Sequence, residues 1–547
     1  MKGMSFMKKL SAIVLSLVML LSLLSYSGFA EGELAEGDFY YTVIDGKAII
    51  TGNSIRYEYH VDKIDIPEQL GGYPVTAIGD EAFAYLESVT TITLPDTIEA
   101  IGNNAFIGCL VLEEITLPEN LKTIGNYAFS DCDAFVEFLI PESVVKIGEY
   151  AFYNCTNLKS INISSTVEEI GICAFSYCWG LESITVDENN DVFSSDNGIL
   201  FNKDKTKLLI YPAAFGTELY EISSGVIEIG EYAFSNNMIV KEIVIPETVD
   251  TIGASAFYNC RAMEKINLPE NLTEIAFDTF HHCQELKSIV IPDNVTKIGG
   301  WAFSNCYSLE TVDMSENVTS IGKNAFDECV ALKEFDFGDK ITFIGESAFN
   351  RCWSLCGIDI PKGINSLSMA FSSCNGLTEI TVPSNVKTVG YHTFYGCRAL
   401  ETITFEDGVT EIYDYALAQC DNLKSVTLPS TITSIGLRAF ELNNNLTDVY
   451  YNGTQEQWDA IAIGDENEPL LNATLHFVKE QESRAGDLNA DGKTNSTDAL
   501  IVLYYKVGRM ELTPEQLEFA DFNKDNYVNS TDALCILRYS VGAAEEI

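Results

Sequence analysis

The chain has 547 residues, with 80 acidic against 33 basic side chains and a formal charge of −47 at pH 7. A surface this acidic repels nucleic acid and anionic membranes and favours solubility, cations and basic partners. With 46% hydrophobic residues there is material for a large core, and the length leaves room for more than one domain.

Residues 1–30 read as a secretory signal. Lys8 and Lys9 precede an apolar run from Leu10 to about Leu24, and Gly28 and Ala30 supply the small residues of a cleavage site. The run is too short for a good membrane span, and no other stretch approaches one. The protein is therefore expected to be secreted, outside the cell. Residues 31–73 read as an opening cap.

From 74 to 445 the chain repeats itself. One unit runs from Leu112 through Ile115, Leu117, Pro118, Leu121, Ile124, Gly125, Ala128 and Phe129 to Cys132. Its phenylalanine recurs at 83, 106, 129, 152 and 175, then at 234, 257, 280, 303, 326 and 349, and at 371, 394 and 440, with Leu417 standing in once. The step is 23, apart from one of 22 and one of 59. A period of this length predicts a leucine-rich-repeat array, an α/β-type solenoid of short strands plus turns or short helices. Each unit buries its apolar side only by stacking on its neighbours. The Leu-x-x-Ile-x-Ile/Leu segment supplies one strand, which a proline such as Pro118 or Pro246 ends. The glycine of the Ile-Gly-x-x-Ala-Phe part is expected to permit the turn back.

Fifteen cysteines in an exported chain would ordinarily suggest disulfides. Twelve of them, however, occupy one repeat position: 109, 132, 155, 178, 260, 283, 306, 329, 352, 374, 397 and 420. A buried ladder of small apolar thiols accounts for all twelve. Cys173, Cys356 and Cys535 lie outside it, and Cys352 and Cys356 are near enough in sequence to pair. The long step between Phe175 and Phe234 holds alternating apolar and polar residues around Gly198, which reads as a hairpin inserted at about 187–222.

The unit Ile-Pro-x-x-Val-x-x-Ile-Gly-x-x-Ala-Phe-x-x-Cys, with its insertion, resembles the BspA-type leucine-rich repeat of bacterial surface proteins. That resemblance implies adhesion and protein binding and no shared catalytic residues. Residues 446–478, with Tyr450, Tyr451, Gly453, Gln457 and Trp458, resemble the closing segment of such arrays. A linker follows at 479–485.

Two surfaces of the array could meet a ligand. The outward strand positions are small or acidic, including Thr116, Asn162, Thr185 and Thr381, which makes a poor sugar platform. On that face Asp313, Asp336 and Asp359 recur at 23-residue intervals and are expected to stack as an acidic ladder, either a cation or basic-partner site or a solvated stripe. Around the Ala-Phe-x-x-Cys turn lies a row of aromatics. Tyr150, Tyr153, Trp179, Trp301, Tyr307 and Trp353 are its candidate ligand surface for a protein or glycan, with packing between coils as the alternative. The chain is not expected to be an enzyme. Its five histidines form no triad or metal pattern, and His281-His282-Cys283 sits inside the repeat.

Two copies of one pattern close the chain, 34 residues apart. Asp487, Asn489, Asp491, Lys493, Asn495 and Asp498 occupy loop positions 1, 3, 5, 7, 9 and 12, and Asp521, Asn523, Asp525, Tyr527, Asn529 and Asp532 repeat them. Side-chain oxygens at 1, 3, 5, 9 and 12, with the backbone carbonyl of position 7, form the donor set of a calcium loop, here with Asp in place of Glu at position 12. Two calcium ions are expected. Gly492 and Asn526 stand at the turn position 6. Each loop leads into a helix, and Leu500, Leu503, Tyr504 and Val507, like Leu534, Leu537, Arg538 and Val541, are expected to form the packed face. Thr513, Pro514 and Gln516 read as the start of a helix between the copies.

This duplicated loop–helix unit, over about 486–544, resembles a type I dockerin, a small all-α calcium-binding domain. The resemblance implies docking onto a cohesin domain of a scaffoldin and membership of a cellulosome. It also implies that Ser496, Thr497, Ser530 and Thr531, with Tyr504 and Arg538, contact the cohesin. The whole then reads as a non-catalytic binding or adhesion subunit with an unknown protein target, or as a carbohydrate-binding accessory subunit of a complex that degrades plant polysaccharides.

Overall fold

The computed structural model describes residues 33–55, 61–477, 486–489, 491 and 493–542. The signal segment, His60, the linker and Gly492 lie outside the described residues. The chain divides into two units, one up to Leu355 and one from Cys356 onward.

The first unit opens with three antiparallel strands, Leu34–Glu36, Phe39–Ile44 and Lys47–Asn53. Lys47–Asn53 then pairs in parallel with Tyr73–Ile78, and coils are added from that edge. Most coils carry two short strands where the repeat pattern suggested one. Glu114–Thr116 is the first of such a pair and Thr123–Ile124 the second. The second arises because a β-branched pair precedes the glycine and meets its equivalents in register, Thr123 beside Lys146 and Ile124 beside Ile147. The third side of each coil is a turn segment rather than a helix. Two of its residues adopt left-handed backbone, Tyr127 (φ 54) and Asp131 (φ 59) in one coil and Tyr150 and Asn154 in the next. These reversals aim successive amides at the following coil. Tyr127, Phe129 and Asp131 donate to the carbonyls of Glu149, Ala151 and Tyr153 at 2.9, 2.8 and 2.8 Å.

The repeat phenylalanines form a continuous internal stack, with centroids 5.1 to 5.3 Å apart along Phe234, Phe257, Phe280, Phe303, Phe326 and Phe349. The ladder cysteines are buried and none is in a disulfide. The thiols have backbone acceptors in the preceding coil: Cys109 Sγ donates to the Phe83 carbonyl at 3.2 Å, and Cys132 repeats this on Phe106 at 3.3 Å. Cys352 and Cys356 are likewise in no disulfide. The long step in the phenylalanine series has a simple origin. Tyr211 takes the phenylalanine place, stacks 4.6 Å from Phe234 and donates its amide to Ala233 as the phenylalanines do. The extra residues therefore precede Tyr211. They hold antiparallel strands Phe193–Asp196 and Ile199–Asn202 turning through Asn197 and Gly198, both with positive φ.

The repeat glycines are needed for a different reason from the one expected. Gly125 does not have positive φ; a Cβ there would lie 2.5 Å from the Gly102 carbonyl carbon and 2.7 Å from the Asn103 nitrogen. The glycine column is where two coils touch backbone to backbone. Gly125→Ala is expected to destabilise the first unit by about 1–3 kcal/mol through overpacking. Urea unfolding checks this, and an unchanged midpoint refutes it.

The second unit continues with coils in two five-stranded parallel sheets. Its last coils carry two short helices, α1 (Gln455–Asp459) and α2 (Glu468–Asn472). Thr454 and Gln457 cap α1 reciprocally. Three further helices make a separate small core: α3 (Ser496–Lys506), α4 (Pro514–Ala520) and α5 (Ser530–Ser540). Thr513, Pro514 and Gln516 start α4 as the sequence suggested, Thr513 accepting from the Gln516 amide at 3.2 Å.

Candidate functional site

The two C-terminal loops are laced by the same bonds. The Asp491 amide donates to Asp487 Oδ1 (3.2 Å) and Asn489 Oδ1 (2.9 Å), and the Asp525 amide to Asp521 Oδ1 and Asn523 Oδ1 (both 3.0 Å). The oxygens of positions 1 and 3 thus meet at one N–H. Lys493 and Tyr527 donate their amides to Asp491 and Asp525 and turn their carbonyls toward Asn495 and Asn529, whose Nδ2 groups donate to them at 3.1 and 2.9 Å. Asn526 at position 6 of the second loop has φ 67, the left-handed backbone that asparagine tolerates.

Positions 9 and 12 are also the start of each helix. Asn495 and Asn529 are the N-caps of α3 and α5, and Asp498 and Asp532 complete the capping boxes. Both aspartates are fully buried. Asp498 Oδ1 accepts from the amides of Leu488 and Asn489, and Oδ2 from that of Asn495 at 2.9 Å. Asp532 accepts from Asn523 and Asn529. Neither forms an ion pair among the described residues, and an unneutralised buried carboxylate is costly. All-oxygen donors around such a carboxylate suit a hard divalent cation. No three Asp, Glu, His or Cys side chains among the described residues are gathered closely enough to hold a metal alone.

The helices pack by a face other than the one expected. Buried residues are Ala499 and Val502 on α3 and Ala533 and Ile536 on α5. Small side chains at 499 and 533 let the two helices approach. The stripe read as packed faces solvent instead: Leu500, Leu503, Tyr504 and Val507 are exposed, Val507 by 65%, and so are Leu534, Leu537, Arg538 and Val541. Ser496, Thr497, Ser530 and Thr531 are exposed at the head of each stripe. Two nearly identical apolar surfaces are thus displayed, one per copy.

The aromatic row of the first unit is a half-buried band. Tyr127 and Tyr150 stack at 4.7 Å, and Tyr153 lies 5.0 Å from Tyr177. Trp179 meets Tyr177 edge-on at 5.6 Å, and Trp301 lies 5.5 Å from His281. The Tyr177 hydroxyl reaches that of Tyr258 at 3.3 Å across the coils that follow the insertion. Burial, then proximity to Cys173, pushes the Tyr150 phenol up to about 12, so it stays a neutral donor. Tyr307 is outside the band, its hydroxyl donating to Asn305 Oδ1 at 2.9 Å. Trp353 stands apart, 53% exposed.

Two other sequence features have ordinary explanations. His281 Nδ1 faces Asp278 Oδ1 at 2.6 Å, while burial and then His281 hold the His282 imidazole down at about 4. Cys283 points inward to the Phe257 carbonyl and joins neither histidine. The three aspartates of the acidic ladder do not share one strand setting. Asp313 lies on a strand, but Asp336 and Asp359 lie outside the strands, and Asp336 Oδ1 accepts the Gly338 amide at 3.0 Å.

Comparison with known proteins places these features. The model of the BspA type leucine rich repeat region matches in six copies over residues 76–201, 227–356 and 342–465. The model of the dockerin type I domain matches residues 485–539. A search of curated proteins found no match. Among solved structures, a leucine-rich repeat protein from Eubacterium ventriosum is 24% identical with a TM-score of 0.51, over 60% of this chain and 96% of that one. A leucine rich cell surface protein from Faecalibacterium prausnitzii is 27% identical, with a TM-score of 0.42, over 60% of this chain and 99% of that one. The first of these supports the fold of the coils.

Proposed function

We propose, from the premise that this chain belongs to the BspA-type leucine-rich repeat family and ends in a type I dockerin domain, that it is a secreted, non-catalytic binding subunit held in a multiprotein complex. The dockerin module carries two calcium ions and docks onto a cohesin of a scaffoldin. The coils present a surface to a protein target. The observation that carries this reading is the duplicated exposed stripe, Ser496, Thr497, Leu500, Leu503 and Val507 on α3 and its copy on α5, each beginning where a buried aspartate closes an all-oxygen loop. Exposed apolar patches rimmed by polar residues mark interaction sites.

Capture by an immobilised cohesin panel tests the reading. One cohesin is expected to retain the chain in calcium and release it in EGTA. Because the two stripes are alike, changing Ser496 and Thr497 alone should have little effect. Changing Ser530 and Thr531 as well should weaken capture about tenfold or more, the cost of about 1.4 kcal/mol at a contact centre. Complete loss from one pair would refute the two-orientation reading. Failure of every cohesin to capture the chain would refute docking.

A carbohydrate-binding accessory role, in a complex that degrades plant polysaccharides, is the second reading. The Tyr127–Tyr150 stack and the exposed Trp353 favour it, since flat rings suit sugar faces. Binding to a glycan array that is lost with Trp353→Ala or Tyr150→Ala would select it.

A further inference from the structure

We propose that His281 is a pH-sensitive switch in the first unit: its protonation turns over the Asn305 amide and redirects the Tyr307 hydroxyl from Asn305 to Glu328. The device belongs to the coils themselves and goes beyond the docking and binding roles proposed above.

The switch is a chain of hydrogen bonds across successive coils. His281 Nδ1 stands 2.6 Å from Asp278 Oδ1, and Asp278 Oδ2 accepts from the Ser255 hydroxyl at 2.9 Å. A carboxylate offers only acceptors, so in the neutral ring Nδ1 carries the proton and Nε2 keeps its lone pair. That lone pair faces Asn305 Nδ2 at 3.1 Å, and the same Nδ2 reaches Ser304 Oγ at 2.9 Å. At its other end the amide accepts the Tyr307 hydroxyl on Oδ1 at 2.9 Å. This hydroxyl also stands 3.5 Å from Glu328 Oε2, and its one proton serves one of the two acceptors at a time. Burial, then Glu328, pushes the Tyr307 phenol up, so it keeps that proton. Arg351 holds the other Glu328 oxygen, Oε1.

Protonation puts an N–H on Nε2, opposite the N–H of Asn305. His281 and Asp278 are only 14% and 13% exposed, so leaving two donors face to face there is costly. The amide removes the conflict by turning over, since its two ends differ in hydrogen-bonding role and hardly in shape. Oδ1 then accepts from His281 and from the Ser304 hydroxyl, Nδ2 donates to the Tyr307 oxygen, and the Tyr307 hydroxyl donates to Glu328. Every group in the chain is bonded in both states, which makes it a two-state element that one proton can bias. Imidazole is the side chain that changes charge in the physiological range. The groups around it do not take over this role. His282 stacks on His281 at 4.2 Å with its Nδ1 unbonded, and burial, then His281 and Arg261, hold it down at about 4 against Asp278 and Glu328. Tyr258 meets His281 edge-on at 5.5 Å and ties its hydroxyl to Tyr177, and Trp301 lies on another side at 5.5 Å.

Nuclear magnetic resonance of the full chain with labelled histidine and tyrosine tests this, His281→Gln and Tyr307→Phe assigning the two signals. At neutral pH His281 is expected as the Nδ1–H tautomer. As pH falls, the Tyr307 signal is expected to shift with the same midpoint as the His281 ring while the circular dichroism of the coils stays constant. Asn305→Gly, which suits the φ of 59 at that position, should keep the His281 titration and abolish the Tyr307 response. Asn305→Asp offers acceptors only, so it should raise the His281 midpoint and likewise silence Tyr307. An Nε2–H tautomer at neutral pH, a Tyr307 signal that ignores His281, or a Tyr307 response that survives both substitutions would overturn the switch. So would a His281 ring that stays neutral until the coils unfold.

Discussion

Chelation with EGTA is expected to unfold residues 486–542 while leaving the coils of both units folded. The helical module has a small core: Leu488, Val502 and Ile536 are its larger fully buried side chains, joined by Ala499, Ala520 and Ala533. A domain this small is marginal without a staple. It also buries two carboxylates, Asp498 and Asp532, that no basic side chain neutralises among the described residues. Calcium bound as proposed would supply the missing charge, and at about a thousand times its dissociation constant a bound ion adds ~4 kcal/mol to the folded state. Hydrogen exchange read by mass spectrometry separates module from coils. Protection in 486–542 that survives EGTA unchanged would overturn the prediction.

Phe280→Ala is expected to destabilise the first unit by about 3–5 kcal/mol. The ring is fully buried and stacked 5.3 Å from Phe257 and 5.2 Å from Phe303. A cavity here breaks the stack in mid-array, and coils that contact only their neighbours transmit the loss to both sides. Phe277→Ala, three positions away and exposed, should change stability by no more than about 0.5 kcal/mol. Urea unfolding of the two variants decides the matter: equal midpoints would mean that the phenylalanine stack is not what holds the coils together.

Much of this protein could be read from spacing alone. Recurrence every 23 residues of Phe, Cys, Gly and Ile states a stacked array, because covalent repeat length is visible without any contact. The cysteine ladder was legible for the same reason: a position repeated twelve times has one environment, and a buried one needs no bridge. The repeated oxygen-bearing side chains of each loop were visible because all of them lie within twelve residues of sequence.

What the tertiary structure decided was which surface each regular face meets. On α3 and its C-cap, Leu500, Leu503, Tyr504 and Val507 have helical spacing and read as core, yet Ala499 and Val502 are buried. Periodicity shows that a face is apolar; it cannot tell a face that packs within the chain from one displayed to a partner. Small residues that allow close helix approach settled that choice. In the same way, the glycine column answers to backbone contact between coils, and Tyr211 joins the phenylalanine stack because an aromatic ring fits its place. Contacts between coils are long-range in sequence, and they determine what each repeated position touches.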